Sequence, residues 1–215
     1  MDQQILFLVN HTWAHPALDK IMAVMSSLDF WWPFLIAVVV VAAVWGGFRG
    51  RMMLLTAGLA IAMTDALLVG TLKDVVGRPR PHEVLEGVRT LDLAVVQPRF
   101  LAVFRPLRED YSVARIHPPR GNSFPSAHAA NNFAVAAVVA VFFRRRGWLL
   151  FLPASLVAYS RVYVGSHWPL DVLVSCFLGL GVGLLVVVGV EALWRRWGGA
   201  CLPQLHTRYP SLLAA

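Results

Sequence analysis

The stretch SRVYVGSHWPLDVLVSCFLGLGVGLLVVVGVEALW, Ser160 to Trp194, decides the fold. It holds Ser160, Arg161, His167 and Asp171 within its first twelve residues and is apolar from 169 to 194, more than the roughly 20 residues that cross bilayer hydrocarbon. The same pattern, polar chemistry at the mouth of a spanning run, occurs twice more. Lys73 and Arg80-Pro81 follow an apolar run over 52 to 72, and Pro125-Ser126-Ala127-His128 opens another over 125 to 143. Apolar runs at 30 to 47 and 147 to 164 bring the expected spans to five. The segment from Ile5 to Leu28 is interrupted by His11, His15, Asp19 and Lys20, so it reads as an amphipathic helix pair in the interface or, less readily, as a sixth span. The expected fold is all-α: a polytopic transmembrane helical bundle of five to six spans in a single domain over 1 to 200. Residues 1 to 28 are its interfacial or first helix, 82 to 122 a long extracytoplasmic loop over the site, and 201 to 215 a loose C-terminal tail.

Composition supports the membrane reading. With 58% hydrophobic and 14% charged residues and a mean hydropathy of +0.63, the chain of 215 residues is too apolar for an ordinary soluble globule. Its net charge of +7 does not point to nucleic acid, because the basic residues gather in short inter-helix segments rather than in a stripe interleaved with aromatics. The bilayer, with its anionic lipids, is the expected partner. Cys176 lies in an apolar run and Cys201 in the tail, which indicates neither a disulfide framework nor a thiolate metal site. The N-terminal Met1-Asp2-Gln3-Gln4 lacks a basic n-region, so no removable signal peptide is expected.

Arginines set an expected orientation. Arg49 and Arg51 follow the first span, Arg144 to Arg146 the third, and Arg195 with Arg196 the fifth. In an alternating bundle these ends share one side, which the positive-inside rule makes cytoplasmic. Lys73, Arg80, Ser126, His128 and His167 then meet at the outer face. The segment from His82 to Asn122 pulls the other way, with six arginines against five acidic residues, since the rule counts basic residues rather than net charge.

Taken together, Lys73, six residues, Arg80-Pro81, then Pro125-Ser126-Ala127-His128, then Ser160-Arg161, five residues, His167, three residues, Asp171 resembles the three-part motif of the type 2 phosphatidic acid phosphatase (PAP2) superfamily. The motif covers residues 73 to 171. One position departs from it: Ala127 stands where the family most often has glycine, keeping the backbone N–H and adding a methyl group. The resemblance implies a membrane lipid phosphatase that forms a phosphohistidine which water then hydrolyses.

The residues read by themselves agree with that chemistry. His167 and Asp171 are four apart at the start of a helix and so share a face. A carboxylate there can accept a hydrogen bond from one imidazole nitrogen and leave the other as a nucleophile. His128 is the expected general acid and base on the opposite side of the phosphoryl group. Lys73, Arg80 and Arg161 are expected to bind phosphate and to neutralise equatorial charge in the transition state, so no metal or other cofactor is needed. Ser126 and the amides at Ala127, opening a helix, add donors, whereas Ser160 is the weaker candidate.

Each piece has a plainer alternative. Arg-Pro beside a span is usually a solvated helix end, and Pro-Ser before an apolar run a helix start. A His and Asp four apart also form surface pairs or metal ligands, but His82, His117 and Glu109 have no spacing that would complete a metal site. Joint occurrence is what sets these readings aside. Gly179, Gly181 and Gly183 are read as helix-packing residues, and Asp65 as either a functional group or a partner for a neighbouring helix.

The expected activity is removal of a terminal phosphate from a membrane lipid in the bacterial inner membrane, with the site facing the periplasm or exterior. Undecaprenyl diphosphate comes first, because an outward-facing site in a small chain suits recycling of that carrier. Phosphatidylglycerophosphate, phosphatidic acid and lipid A phosphates are alternatives, as is lipid phosphotransfer. A similar motif occurs in vanadate-dependent haloperoxidases, which are larger and soluble. A non-enzymatic anion binder or transporter would need no nucleophile, and the inverted repeat that favours transport is absent from the sequence.

Overall fold

The structure, a computed structural model, describes residues 1–115 and 121–213. His117 and part of the expected loop over 82 to 122 lie outside the described residues. Helix α1 (Asp2–Phe7) continues through a π-helical turn, Leu8–Thr12. Next comes α2 (Pro16–Ser26), opened by Pro16 and by the His15 ring, which accepts the Ala17 N–H at 3.2 Å. Then follow α3 (Leu28–Trp45) and α4 (Gly47–Met63), the latter prolonged by a π-helical stretch, Thr64–Gly70, and by α5 (Thr71–Val76). Gly77, at φ 57°, ends that run in the left-handed region that favours glycine.

Beyond it come a single turn, α6 (Pro81–Val84), and two strands, β1 (Arg89–Asp92) and β2 (Arg108–Tyr111), paired antiparallel with Arg89 opposite Tyr111. A 3-10 turn, Arg99–Phe104, lies between them. The rest is helical: α7 (Ala127–Gly147), a 3-10 turn at Trp148–Leu150, α8 (Phe151–Tyr163), α9 (Pro169–Cys201) and α10 (Pro203–Arg208).

Helix α7 is central, and its packing on α9 positions the site. The Ser126 N–H donates to Ser175 Oγ at 2.8 Å, Gly179 backs onto Ala130, and Gly183 onto Ala134. Each pair advances by four residues on both helices, so α7 and α9 run parallel with small residues letting their backbones approach. Ala57 and Ala60 of α4 cover Ala134 and Val138 on another side of α7. Because α7 and α9 both begin where α5 and α8 end, the three polar clusters fall at one end of the bundle. Arg49, which donates to the Phe142 carbonyl, marks the other end.

Several expectations change. Among the described residues, three helical stretches are long and apolar enough to span: Leu28–Trp45, Gly47–Val84 and Pro169–Cys201. The other two expected spans, 125 to 143 and 147 to 164, form helices α7 and α8. Helix α7 is lined with buried alanines that pack against protein, so it needs little apolar surface for lipid. Helix α8, at 13 residues, runs on directly from the 3-10 turn at Trp148–Leu150, and the two together extend about 25 Å, close to a hydrocarbon core about 30 Å thick. The all-α expectation meets a small β ribbon, which strands β1 and β2 build within the segment read as a loop. The N-terminal segment is a pair of short helices whose Leu6, Val9 and Met22 pack on Tyr163, Trp168 and Val172.

The tail read as loose is docked. Leu212 is buried against α4, α7 and α9, its N–H and Ser211 Oγ donate to Glu191, and Trp194 Nε1 donates to the Tyr209 carbonyl at 2.8 Å. Asp65 has a partner on a neighbouring helix, since Asn131 Nδ2 of α7 donates to its carboxylate at 3.0 Å, and its charge also reaches Lys73. Phe34, Ile36 and Val38 to Val41 of α3, like Phe177, Leu185 and Val188 of α9, remain exposed. Apolar surface on that scale is a lipid-facing surface, and the protein is an integral membrane protein.

Candidate active site

Four elements meet at the site end. The end of α5 brings Lys73, and the chain beyond it brings Arg78 and Arg80. The lead into α7 brings Ser123, Ser126 and His128, the last turn of α8 brings Arg161, and the turn into α9 brings His167, with Asp171 one turn later. The positive charges of Arg161, Arg80 and Lys73 all reach the His128 ring, and those of Arg161 and Arg80 reach His167. Two histidines and three cations thus share one electrostatic neighbourhood.

His167 is 3% exposed. Its Nδ1 lies 2.6 Å from the Ser123 carbonyl oxygen. A carbonyl only accepts, so Nδ1 carries the proton and the neutral ring keeps its lone pair on Nε2. Among the described residues Nε2 has no hydrogen-bond partner. Burial first, then the charges of Arg161 and Arg80, hold the imidazole well below its ordinary 6.5, and the Ser123 carbonyl only partly opposes them. A buried, neutral imidazole with one free nitrogen facing cations is suited to attack an electrophile that carries negative charge.

Asp171 departs from the expected pairing. Its Oδ1 accepts Arg78 Nη1 at 2.5 Å and its Oδ2 accepts Ser123 Oγ at 2.7 Å. Both oxygens are taken, and the imidazole nitrogen expected to donate to Asp171 donates to Ser123 instead. The Arg78 guanidinium lies over the Trp168 ring, 4.8 Å from its centroid, and its Nη2 meets Asp2 at 2.7 Å. Asp2 also accepts the Leu170 N–H at 3.0 Å, filling an orphan donor in the first turn of α9.

The phosphate-binding candidates hold distinct positions. Arg80 donates through Nε to Asn122 Oδ1 at 3.0 Å, and its own N–H is capped by Glu83 at 2.7 Å. Arg161 Nη1 donates to the carbonyl and hydroxyl of Ser26, and its buried Nε has no partner among the described residues. Ser126, fully buried at the start of α7, has a hydroxyl with no partner among the described residues. Ala127 is the first residue of α7, and Lys73 is half-buried on α5. Ser160 turns its hydroxyl back to the Val157 carbonyl at 2.7 Å and so serves its own helix.

A cavity of about 730 Å³ is lined by His128 and Arg161 and by Thr90, Asp92 and Arg108 of the ribbon. That volume lies within the range of small-molecule sites. The ribbon is tied down behind it: Arg89 donates to Asp19 and Glu109, each at 2.5 Å, and the Tyr163 hydroxyl donates to Asp19 at 2.7 Å. Burial would raise the Asp19 carboxyl, but the hydrogen bonds from Arg89 and Tyr163 outweigh it and hold the group below its usual range. Among the described residues, no group of three or more His, Cys, Asp or Glu is placed to hold a metal ion.

Arg78, Ser123, Asn122, Ser26 and Asp2 were not among the residues singled out from sequence. Arg78-Pro79 directly precedes Arg80-Pro81, and Asn122-Ser123 directly precedes the second cluster. That adjacency was the available signal.

Comparison with known proteins follows this geometry. Over 106 residues the chain is 33% identical to a putative undecaprenyl-diphosphatase, YbjG, of Escherichia coli strain K12, covering 49% of this chain and 52% of that one. The chain spans about half the length of that curated relative. Over 185 residues it is 26% identical to a lipid A 4'-phosphatase of Bacteroides thetaiotaomicron, covering 83% and 72% of the two chains. The crystal structure of Aquifex aeolicus LpxE superposes with a TM-score of 0.56 at 27% identity, over 86% of this chain and 93% of that one. The family model of the PAP2 superfamily matches residues 53–195, a stretch that contains all three polar clusters and the helices that present them, and the chain belongs to that superfamily.

Proposed function

We propose that this protein is a metal-independent lipid phosphate phosphatase of the bacterial inner membrane, with its site at the outer face and undecaprenyl diphosphate as its first substrate. The observation that carries this is the His167 ring, neutral, fixed through Nδ1 and open at Nε2 beside Arg80 and Arg161. His167 Nε2 attacks phosphorus, and the bond to the leaving lipid oxygen breaks as His128 delivers a proton to that oxygen. Water then attacks the phosphohistidine while His128 takes its proton. The P–N bond breaks, releasing inorganic phosphate and restoring Nε2. Lys73, Arg80 and Arg161 hold the equatorial oxygens, where charge builds in a loose transition state, and the buried Ser126 hydroxyl adds a donor.

The putative undecaprenyl-diphosphatase of Escherichia coli among the relatives supports the substrate class, and the lipid A 4'-phosphatase keeps a glycolipid monophosphate as the second reading. The opposed ends of the bundle, arginines at one and the site at the other, support an outward-facing site. The test is phosphate release by detergent-solubilised protein from undecaprenyl diphosphate, phosphatidylglycerophosphate, phosphatidic acid and lipid A, with EDTA present, against His167→Ala. Release that survives EDTA and disappears in the variant is expected. Activity that persists in His167→Ala, or that EDTA abolishes, refutes the mechanism.

A further inference from the structure

We infer that Ser123, held through Asp171 by Arg78, is the positioning residue for the nucleophile: its backbone carbonyl, not a carboxylate, sets the His167 tautomer. This rests on the proposed role of His167 as nucleophile. Ser123 faces both partners at once. Its carbonyl oxygen stands 2.6 Å from His167 Nδ1, and its hydroxyl donates to Asp171 at 2.7 Å. Ser123 is fully buried, and its own N–H donates to the Arg78 carbonyl at 2.9 Å. The short segment before α7 is therefore pinned at three atoms of one residue.

Arg78 closes the arrangement. One arm of its guanidinium holds Asp171 and the other Asp2, while its face covers Trp168, whose Nε1 donates to the Pro79 carbonyl at 2.9 Å. The residues on both sides of the Arg78 peptide, the ring beside His167 and the N-terminal helix are thus braced against one another. Asp171 acts at a distance: it locates the Ser123 hydroxyl and so the carbonyl, without touching the imidazole.

The arrangement differs in consequence from a direct carboxylate–imidazole pair. Where a carboxylate sets the tautomer, replacing it by the isosteric amide costs about 10⁴-fold in turnover, because the amide can turn its N–H toward the ring. A peptide carbonyl cannot make that exchange. Asp171→Asn should therefore keep His167 protonated at Nδ1 and lower kcat by no more than about 100-fold, far short of that loss. Ser123→Ala keeps the carbonyl but frees Asp171 from it, and should lower kcat about tenfold with KM unchanged, the pattern of a misplaced group rather than lost binding.

The experiment pairs kcat and KM on a responsive lipid phosphate with ¹⁵N chemical shifts of histidine-labelled protein in detergent, the His167 signals being assigned by their loss in His167→Ala. The shifts need no substrate, so they test the tautomer even if phosphatase activity itself fails to appear. Nδ1 protonation retained in Asp171→Asn, with the two kcat effects above, is the expected result. A tautomer that changes in Asp171→Asn, a loss near 10⁴-fold in that variant, or wild-type kcat in Ser123→Ala overturns the inference.

Discussion

Replacing Gly179 by alanine should separate the two helices that carry the site. A Cβ built there lies 2.7 Å from the Ala130 carbonyl carbon and 2.8 Å from its Cα, against 3.4 Å for ordinary contact. The obstacle is helix backbone, which no rotamer change relieves, so α7 and α9 must part by at least about 0.7 Å. Overpacking of this kind costs about 1–3 kcal/mol. The functional cost is larger, because α7 carries Ser126 and His128 while α9 begins two residues after His167, and a misplacement near 1 Å can cost about 100-fold in rate. Gly181 is the control: a Cβ there meets nothing within 4 Å, and alanine is the better helix former by about 1 kcal/mol. The assay is kcat for phosphate release together with the melting temperature in detergent. Gly179→Ala should lose both activity and stability, and Gly181→Ala should match or exceed the wild type. Equal activity and melting temperature in the two variants would refute the close-packed parallel pair as the frame of the site.

Three further outcomes follow from the same geometry. His167 stays neutral because its folded value is depressed, so an acid limb of kcat/KM set by its protonation should lie below pH 6.5; a limb from that group at or above 6.5 contradicts its burial. The same depression means that the unfolded chain binds the proton first, so stability should fall as pH drops below 6.5 toward the folded value, and a melting temperature that rises over that window contradicts the sign. Arg89→Met leaves Asp19 buried beside Tyr163 without its cation and should cost about 3–5 kcal/mol in a detergent unfolding experiment, whereas a cost below about 1 kcal/mol would show that the pair does not hold the ribbon. Because Thr90, Asp92 and Arg108 line the same cavity as His128 and Arg161, replacing residues 82 to 122 by a short linker should change the ranking of lipid substrates, and an unchanged ranking would remove this segment from headgroup recognition.

The parts legible in the sequence were those governed by local chemistry. Val172 to Val190 announces a spanning helix because each residue contributes its own transfer free energy, whatever it later touches. Lys73, Arg80, Ser126, His128, Arg161 and His167 were recognisable because their order and spacing along the chain, taken together, resemble the three-part PAP2 motif.

Tertiary structure decided what depended on partners distant in sequence. Asp65 meets Asn131, 66 residues away, the tail finds a pocket for Leu212 between α4, α7 and α9, and the ribbon is braced where Arg89 meets Asp19. The pairing of Asp171 shows the limit most clearly. A spacing of four on a helix makes His167 and Asp171 neighbours, yet it does not say which donor reaches the carboxylate first. Arg78, 93 residues away, and Ser123, 48 away, fill it, leaving the imidazole to a peptide carbonyl. The sequence by itself determined which chemical groups stand at the ends of its apolar runs, since solvation acts on each residue alone. Only the tertiary structure decided which of them bond to one another, since a hydrogen bond is settled by distance and direction between groups that the chain order leaves far apart.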